Sequence, residues 1–317
     1  MPVPPKSPLP PRFGLQAAWM RTPDRDPQHP APWPTLGAYL RERFPAVGLD
    51  GLERMLAGGE FVLQDGTPIT GDERYTPHTF VWFHRELRDE PVVPGEITVL
   101  HRDDRIVVVD KPHFLSTIPR GRHIRQSVVV RMREELGLPE LGPAHRLDRQ
   151  TAGVLVLTTE RRWRGAYQDL FAHRRVTKTY SAIALHDPEL DLPAVVESHI
   201  HKERGVMQAF EVPGRPVNAH TLVELDEVGG WDDAGEGRWA RYRLTPRTGR
   251  THQLRLHLNS LGIPIRHDPL YPVDLDRDLD DFTHPLQLLA QRLEFIDPVD
   301  QTPRVYESAR TLELPGA

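Results

Sequence analysis

The sequence contains no cysteine. This excludes a disulfide framework, a thiolate nucleophile and any cysteine-ligated metal. It suits a reducing compartment, and a cytoplasmic location is the expectation. No apolar stretch approaches the roughly 20 residues that cross a bilayer as a helix. The N-terminal stretch has no signal-type apolar core, so no export signal is expected. Positive charge is not in excess: 40 Lys and Arg against 45 Asp and Glu leave a net charge of −5. The chain as a whole is no polycation.

Proline, by contrast, is plentiful at 32 residues. It crowds residues 1–32, which are expected to form an extended tail, since proline this dense supports neither helix nor central strand. Residues 33–92 read as a small α+β module. Leu36, Tyr39, Leu40 and Phe44 recur at helical spacing, as do Leu49, Leu52, Met55 and Leu56. A hairpin follows, with Asp65-Gly66 at its turn, and then an extended run, Thr79–Phe83. Residues 93–312 form the main domain, and 317 residues are enough for one large domain beside a smaller one.

Within the main domain Ile106–Val109 reads as a buried strand ending in Asp110-Lys111-Pro112, where Lys111 is expected to serve structure. A basic loop, Thr117–Arg125, precedes a helix from Ser127 to Leu136 that Gly137 ends. The central stretch is His145-Arg146-Leu147-Asp148-Arg149-Gln150-Thr151-Ala152-Gly153, which runs into the apolar Val154–Leu157. An aspartate just before a buried strand has a rigid support and an accessible carboxylate, as a catalytic carboxylate requires. On spacing alone it is more simply a surface partner of Arg146 or Arg149.

Between His145 and Tyr180 eight basic residues (Arg146, Arg149, Arg161, Arg162, Arg164, Arg174, Arg175, Lys178) face three acids (Asp148, Glu160, Asp169), a local excess of five. Such a face docks a phosphate backbone or is simply solvated. A helix over 160–175 and a strand from Val176 to Ile183 are expected, with Lys178 and Tyr180 on one face of the strand. Tyr180 by itself reads as a core tyrosine. Glu224–Glu236 reads as an acidic loop. A strand over 239–244, a turn at Pro246–Arg250 and a helix from Thr251 that Gly262 ends complete the series.

Two metal readings fail. His199 and His201 alternate without a third ligand. The aspartate run 274–281 has Leu279 and Pro285 where an EF-hand needs Gly and Glu. No metal and no cofactor are expected.

The His145–Gly153 stretch closely resembles the catalytic motif of the RluA-type RNA pseudouridine synthases. Asp110-Lys111-Pro112, Lys178-Thr179-Tyr180 and Thr248–Tyr271 resemble further motifs of that family in the same order. Four ordered motifs cover the main domain. The resemblance implies a pseudouridine synthase fold of the α+β class: a mixed, largely antiparallel sheet flanked by helices and loops. It implies an isomerase that converts specific uridines of structured RNA to pseudouridine, ribosomal RNA being favoured and transfer RNA open. It makes Asp148 the catalytic carboxylate, Tyr180 the residue packing on the target base and implicated in proton transfer, and Arg255 the partner of Asp148. Leu256 would lie under the base. Arg146 would fill the vacated stack, with His145, Arg250 and Lys178 as further RNA-binding residues. A monomer is expected, with no membrane association.

Residues 33–92 are similar in layout to the alpha-L RNA-binding module. Four positions depart from the family: His113 and Phe114 stand where a small residue and Gly are usual, and Arg266-His267 where Gly precedes Asp268. The first pair leaves the shape of the loop after Pro112 open; because His does not freely adopt positive φ, the loop before Asp268 is expected to differ. The alternative is a non-catalytic RNA-binding or ribosome-assembly protein on the same scaffold. A carboxylate-dependent hydrolase would need a second carboxylate near Asp148.

Overall fold

The computed structural model describes residues 5–24, 33–85, 87, 89–231, 235 and 237–316. The chain divides into two compact units at Asp89/Glu90.

In the first unit, strand β1 (Ala18–Arg21) is followed by helices α1 (Leu36–Arg43) and α2 (Leu49–Ala57) and strands β2 (Phe61–Val62) and β3 (Phe80–Phe83). Thr35 caps α1 by accepting the Ala38 N–H at 3.1 Å. The apolar stripes seen in the sequence, Leu36, Tyr39 and Leu40 with Leu52, Met55 and Leu56, are buried together against Phe61, Val81 and Phe83. The turn after β2 closes as expected: Leu63 N–H donates to the Thr67 carbonyl at 2.8 Å, and Gly66 takes φ 85°.

The expected tail is partly a structural strand. Ala18–Arg21 pairs antiparallel with β3, Ala18 opposite Phe83 and Arg21 opposite Phe80. The prolines stop at Pro11 and resume at Pro23, and β1 lies in the proline-free window between them. Residues 25–32 of the expected tail lie outside the described residues.

The second unit carries β4 (Thr98–Arg102), β5 (Ile106–Lys111), α3 (Val128–Leu136), β6 (Gly142–Pro143), β7 (Ala152–Thr158) and α4 (Arg161–Ala172). It continues with β8 (Val176–Leu185), β9 (Ala194–Ser198), β10 (Ile200–His201), β11 (Phe210–Glu211) and β12 (Ala219–Trp231). The last elements are β13 (Arg238–Pro246), α5 (Gln253–Ser260), β14 (Leu288–Ile296) and β15 (Pro303–Glu307). Strands β10 and β11 pair with each other; the other ten form one sheet, in the order β4-β5-β7-β14-β8-β13-β12-β9, with β6 on β7 and β15 on β14. The β7–β14 pair is parallel, and the remaining pairs are antiparallel. The expected mixed, largely antiparallel α+β fold is what forms. No described helix is long and apolar enough to cross a membrane.

Strands β5 and β7 read as continuous apolar runs because both their faces are buried. Val107, Val109, Leu155 and Leu157 pack with Val128, Val129 and Met132 of α3. Ile106, Val108, Val154 and Val156 pack with Tyr167 and Leu170 of α4. Each such side chain contributes about 1.5–3 kcal/mol of apolar burial.

One expectation for the second unit is corrected. The acidic segment from Glu224 is strand rather than loop as far as Trp231. Its acids face arginines across the ladder, Asp226 with Arg243 at 2.7 Å and Glu227 with Arg241 at 2.6 Å, and this pairing is invisible in the local sequence. The C-terminal residues are also part of the structure: β15 extends the sheet, and Ser308, Ala309 and Arg310 all donate to the Asp110 carboxylate.

Candidate active site

Strand β7 starts at Ala152, so the Asp148–Thr151 turn stands at its mouth, closed by the Thr151 N–H donating to the Asp148 carbonyl at 3.1 Å. Gly153 adopts φ 112°, and a Cβ there would lie 2.2 Å from the Ala290 carbonyl oxygen. The Thr-Ala-Gly of the motif is therefore the point where β14 crosses in parallel beside β7.

Two side chains hold the main chain on either side of the aspartate. Thr117 Oγ1 donates to the Leu147 carbonyl at 2.8 Å and accepts the Leu147 N–H at 3.1 Å. The fully buried Lys111 Nζ donates to the carbonyls of Pro112, Leu115 and Arg149, at 3.0, 2.8 and 3.2 Å. Lys111 serves structure, as expected, but through carbonyls rather than an ion pair. Burial lowers its pKa to about 7, and the Asp148 charge opposes that shift.

Asp148 lines a cleft of about 560 Å³ and an adjoining recess of about 100 Å³. Its carboxylate has no hydrogen-bond or ion-pair partner among the described residues. The expected surface pairing with its neighbours does not occur. Arg149 turns away, donating to the Leu279 carbonyl and lying 5.8 Å over each of the rings of Phe114 and Phe282. Arg146 is exposed at the cleft and has no partner among the described residues. The cleft is lined by the cations Arg120, Arg146, Arg149, Arg174, Lys178, Arg247 and Arg250, and by one acid, Asp148. The second carboxylate that a glycoside-type hydrolase requires is absent from this lining.

Tyr180 lines both cavities from β8. Burial, and then the Asp148 charge, raise its phenol pKa. Lys178, two residues earlier on the same strand face, donates to the Thr248 carbonyl at 2.8 Å, which ties β8 to the 247–251 turn. Burial, followed by Arg174, lowers its pKa to about 8. His145 stacks on Phe171 at 4.1 Å, and its Nε2 accepts the Val156 N–H at 3.2 Å. Burial lowers its pKa to about 3, so it is a neutral brace at the cleft wall. Arg250 Nε donates to the Asn218 carbonyl at 3.2 Å.

Arg255 departs from expectation. Its guanidinium forks onto Asp268, Nε donating to Oδ2 at 2.7 Å and Nη2 to Oδ1, with both side chains buried. Burial works against its charge, but the Asp268 bonds and the charges of Asp268 and Asp148 outweigh this and raise its pKa. Asp148 thus feels Arg255 through space, while Asp268 holds the fork.

Leu256 is also placed differently. It packs with Ile200, Ala209, Ala219 and Tyr271, whereas Leu254 lines the recess. The 3.6-residue turn of α5 puts the two leucines on different faces.

At two positions where glycine is usual in the family, larger residues hold left-handed backbone. Phe114 takes φ 64° and His267 φ 62°, the left-handed conformation that glycine adopts freely. Burial of Phe114 against Phe282, with ring centroids 5.5 Å apart, offsets the backbone cost there. His267 packs against His284 at 5.0 Å. Arg266 lies 5.5 Å over the Trp239 ring. His113 Nδ1 meets the Gln150 carbonyl at 2.7 Å, another tie on the aspartate turn.

The basic loop Thr117–Arg125 is partly neutralised: Asp280 lies 3.5 Å from Arg122 and 3.1 Å from His123. The described residues hold no group of three or more ligands fit for a metal.

Sequence reasoning missed Thr117, Gln253 and His252. Gln253 is buried and fully bonded: Oε1 accepts from Thr248 Oγ1 and the Arg250 N–H, and Nε2 donates to the His220 carbonyl and Thr221 Oγ1. The polar pair His252-Gln253 at the opening of α5 was the signal.

A partnerless carboxylate at a strand mouth, in a cleft lined by cations, defines an enzyme-type site for a polyanion. The chain matches the family described as RNA pseudouridylate synthase over residues 105–260. It is 31% identical over 206 residues to the dual-specificity RNA pseudouridine synthase RluA of Vibrio parahaemolyticus, covering 63% of this chain and 78% of that protein. It is 30% identical over 193 residues to the mitochondrial tRNA pseudouridine(32) synthase of Saccharomyces cerevisiae; that match covers 60% of this chain and 40% of the yeast protein. The fold is similar to that of human RNA pseudouridylate synthase domain containing 1, with TM-score 0.56 and 23% identity, covering 70% of this chain and 86% of that one. The chain belongs to the RNA pseudouridine synthase family.

Proposed function

We propose that the protein isomerises specific uridines to pseudouridine in structured RNA, with Asp148 as the catalytic carboxylate. The observation that carries this is the free Asp148 carboxylate, the single acid in a cleft lined by seven cations. The reaction breaks the bond from ribose C1′ to uracil N1, turns the base and joins C1′ to C5; the C5 proton leaves and N1 takes up a proton, so no atom is gained or lost. Nothing is oxidised or reduced. Asp148 takes up the sugar or base as nucleophile, or removes a ribose proton. Arg255 lines the same recess as Asp148 and faces the reacting uridine beside it. Tyr180 stacks on the base.

A paired uridine is out of reach of the recess and must flip out, at a cost of a few kcal/mol. The exposed, partnerless guanidinium of Arg146 is planar and suits the vacated stack. The cationic lining suits a phosphate backbone. Transfer RNA and ribosomal RNA are both candidate substrates, and the names of the relatives above cover transfer RNA and a dual specificity.

The test is tritium release from C5-labelled uridine in total RNA. Wild-type protein should release tritium. Asp148→Asn should abolish release while keeping RNA affinity within a few-fold. Release at the wild-type rate by the variant would remove Asp148 from the mechanism.

A further inference from the structure

His252 lines the recess with Asp148, Tyr180 and Arg255, and the chemistry above gives it no task. Its backbone is left-handed, φ 58°, at the N-terminus of α5. Its Nδ1 lies 3.0 Å from the Tyr271 hydroxyl. That hydroxyl donates to the Ala209 carbonyl at 3.0 Å and accepts the Ala209 N–H at 2.7 Å.

A phenol has one proton and two lone pairs. Ala209 is fully buried, so its carbonyl depends on that proton. The bond to His252 then requires Nδ1–H to be the donor. A neutral imidazole with its proton on Nδ1 carries a bare lone pair on Nε2. Nε2 has no hydrogen-bond partner among the described residues and is not sealed from solvent. Burial is the largest influence on the ring's pKa and lowers it to about 4 in spite of the Asp148 charge, so the lone pair persists at neutral pH. So weak a base abstracts protons poorly but still accepts a hydrogen bond.

The recess therefore offers a fixed hydrogen-bond acceptor beside the free carboxylate. Uracil in RNA has a single N–H, at N3, whereas cytosine presents a lone pair there. Resting on the function proposed above, we infer that His252 Nε2 accepts the N3–H of the flipped uracil, and that this bond selects uracil over cytosine. A cytosine placed the same way would set lone pair against lone pair, a repulsion that adds to the missing bond.

The probe is a synthetic stem–loop built on a uridine that the wild-type protein converts in total RNA. It is made with C5-tritiated uridine or N3-methyluridine at that position. His252→Gly keeps the left-handed backbone unstrained, removes Nε2 and opens room for the methyl group. Wild-type protein should act on uridine and reject N3-methyluridine. His252→Gly should lose about 10- to 100-fold in kcat/KM on uridine, and its penalty against N3-methyluridine should shrink by about ten-fold or more.

His252→Asn also tolerates this backbone; it should show the same loss on uridine if melting shows the glycine variant unfolded. An N3-methyl penalty unchanged in His252→Gly, or wild-type kcat/KM on uridine in whichever variant folds, would overturn the inference. Wild-type protein that releases no tritium from any RNA refutes the function itself, and that result is read before any variant is used.

Discussion

Tyr180 carries a phenol whose pKa burial and the Asp148 charge push above its ordinary value. Its proton therefore stays on across neutral pH, and the residue enters the reaction as a hydroxyl, not as a phenolate. Tyr180→Phe keeps the ring and is expected to hold RNA affinity within a few-fold. If the hydroxyl moves a proton, single-turnover kcat falls by about 10²-fold; turnover equal to wild type would confine Tyr180 to packing. Asp148 is served from behind by Lys111, Thr117 and His113, which bind main-chain atoms of its turn and leave the carboxylate free.

At the scale of elements, the site depends on the crossing of β7 and β14. The parallel pairing sets Ala290 opposite Gly153, with no space for a side chain between them. Gly153→Ala combines a backbone clash with a conformation that alanine avoids. A loss of about 3–5 kcal/mol of stability is expected, read as a lowered urea midpoint. A midpoint within experimental error of wild type would mean that the crossing gives way easily. The turn after β5 and the loop after α5 follow the same logic with other residues, Phe114 and His267 bearing left-handed backbone where packing compensates for it.

For the whole molecule, charge distribution matters more than its sum. A chain of net charge −5 gathers seven cations around one cleft. RNA affinity should fall steeply as salt rises from about 50 to 200 mM, because docking on phosphates releases counterions; a flat titration would rule out phosphate docking in this cleft. Stability should also depend on pH. His113, His145, His252 and His257 are each buried enough to have pKa values of about 4, 3, 4 and 4. Their folded values lie below the unfolded one near 6.5, so the unfolded state binds more protons as pH falls through that value. Stability present above about pH 6.5 is lost on going down toward pH 4, by on the order of 1 kcal/mol per histidine at pH 5. Denaturant midpoints at pH 7.5 and 5.0 check this, and equal midpoints would mean that these rings are already charged in the fold.

Local order along the chain was enough to show the strands Ile106–Val109 and Val154–Leu157, the helices with apolar stripes, and the motif that sets Asp148 before a buried strand, because periodicity and turn chemistry act over a few residues. The resemblance of its motifs to the RNA pseudouridine synthases brought Asp148, Tyr180, Lys178 and Arg146 together as candidates, and one cleft holds all four. Only the tertiary structure decided partners. Arg255 reaches Asp268, Leu256 turns from the recess while Leu254 enters it, the acids of β12 find arginines on β13, and the C-terminal residues secure Asp110. Those choices follow from which atoms the sheet brings within a few ångströms of each other. Spacing in the chain does not encode that distance.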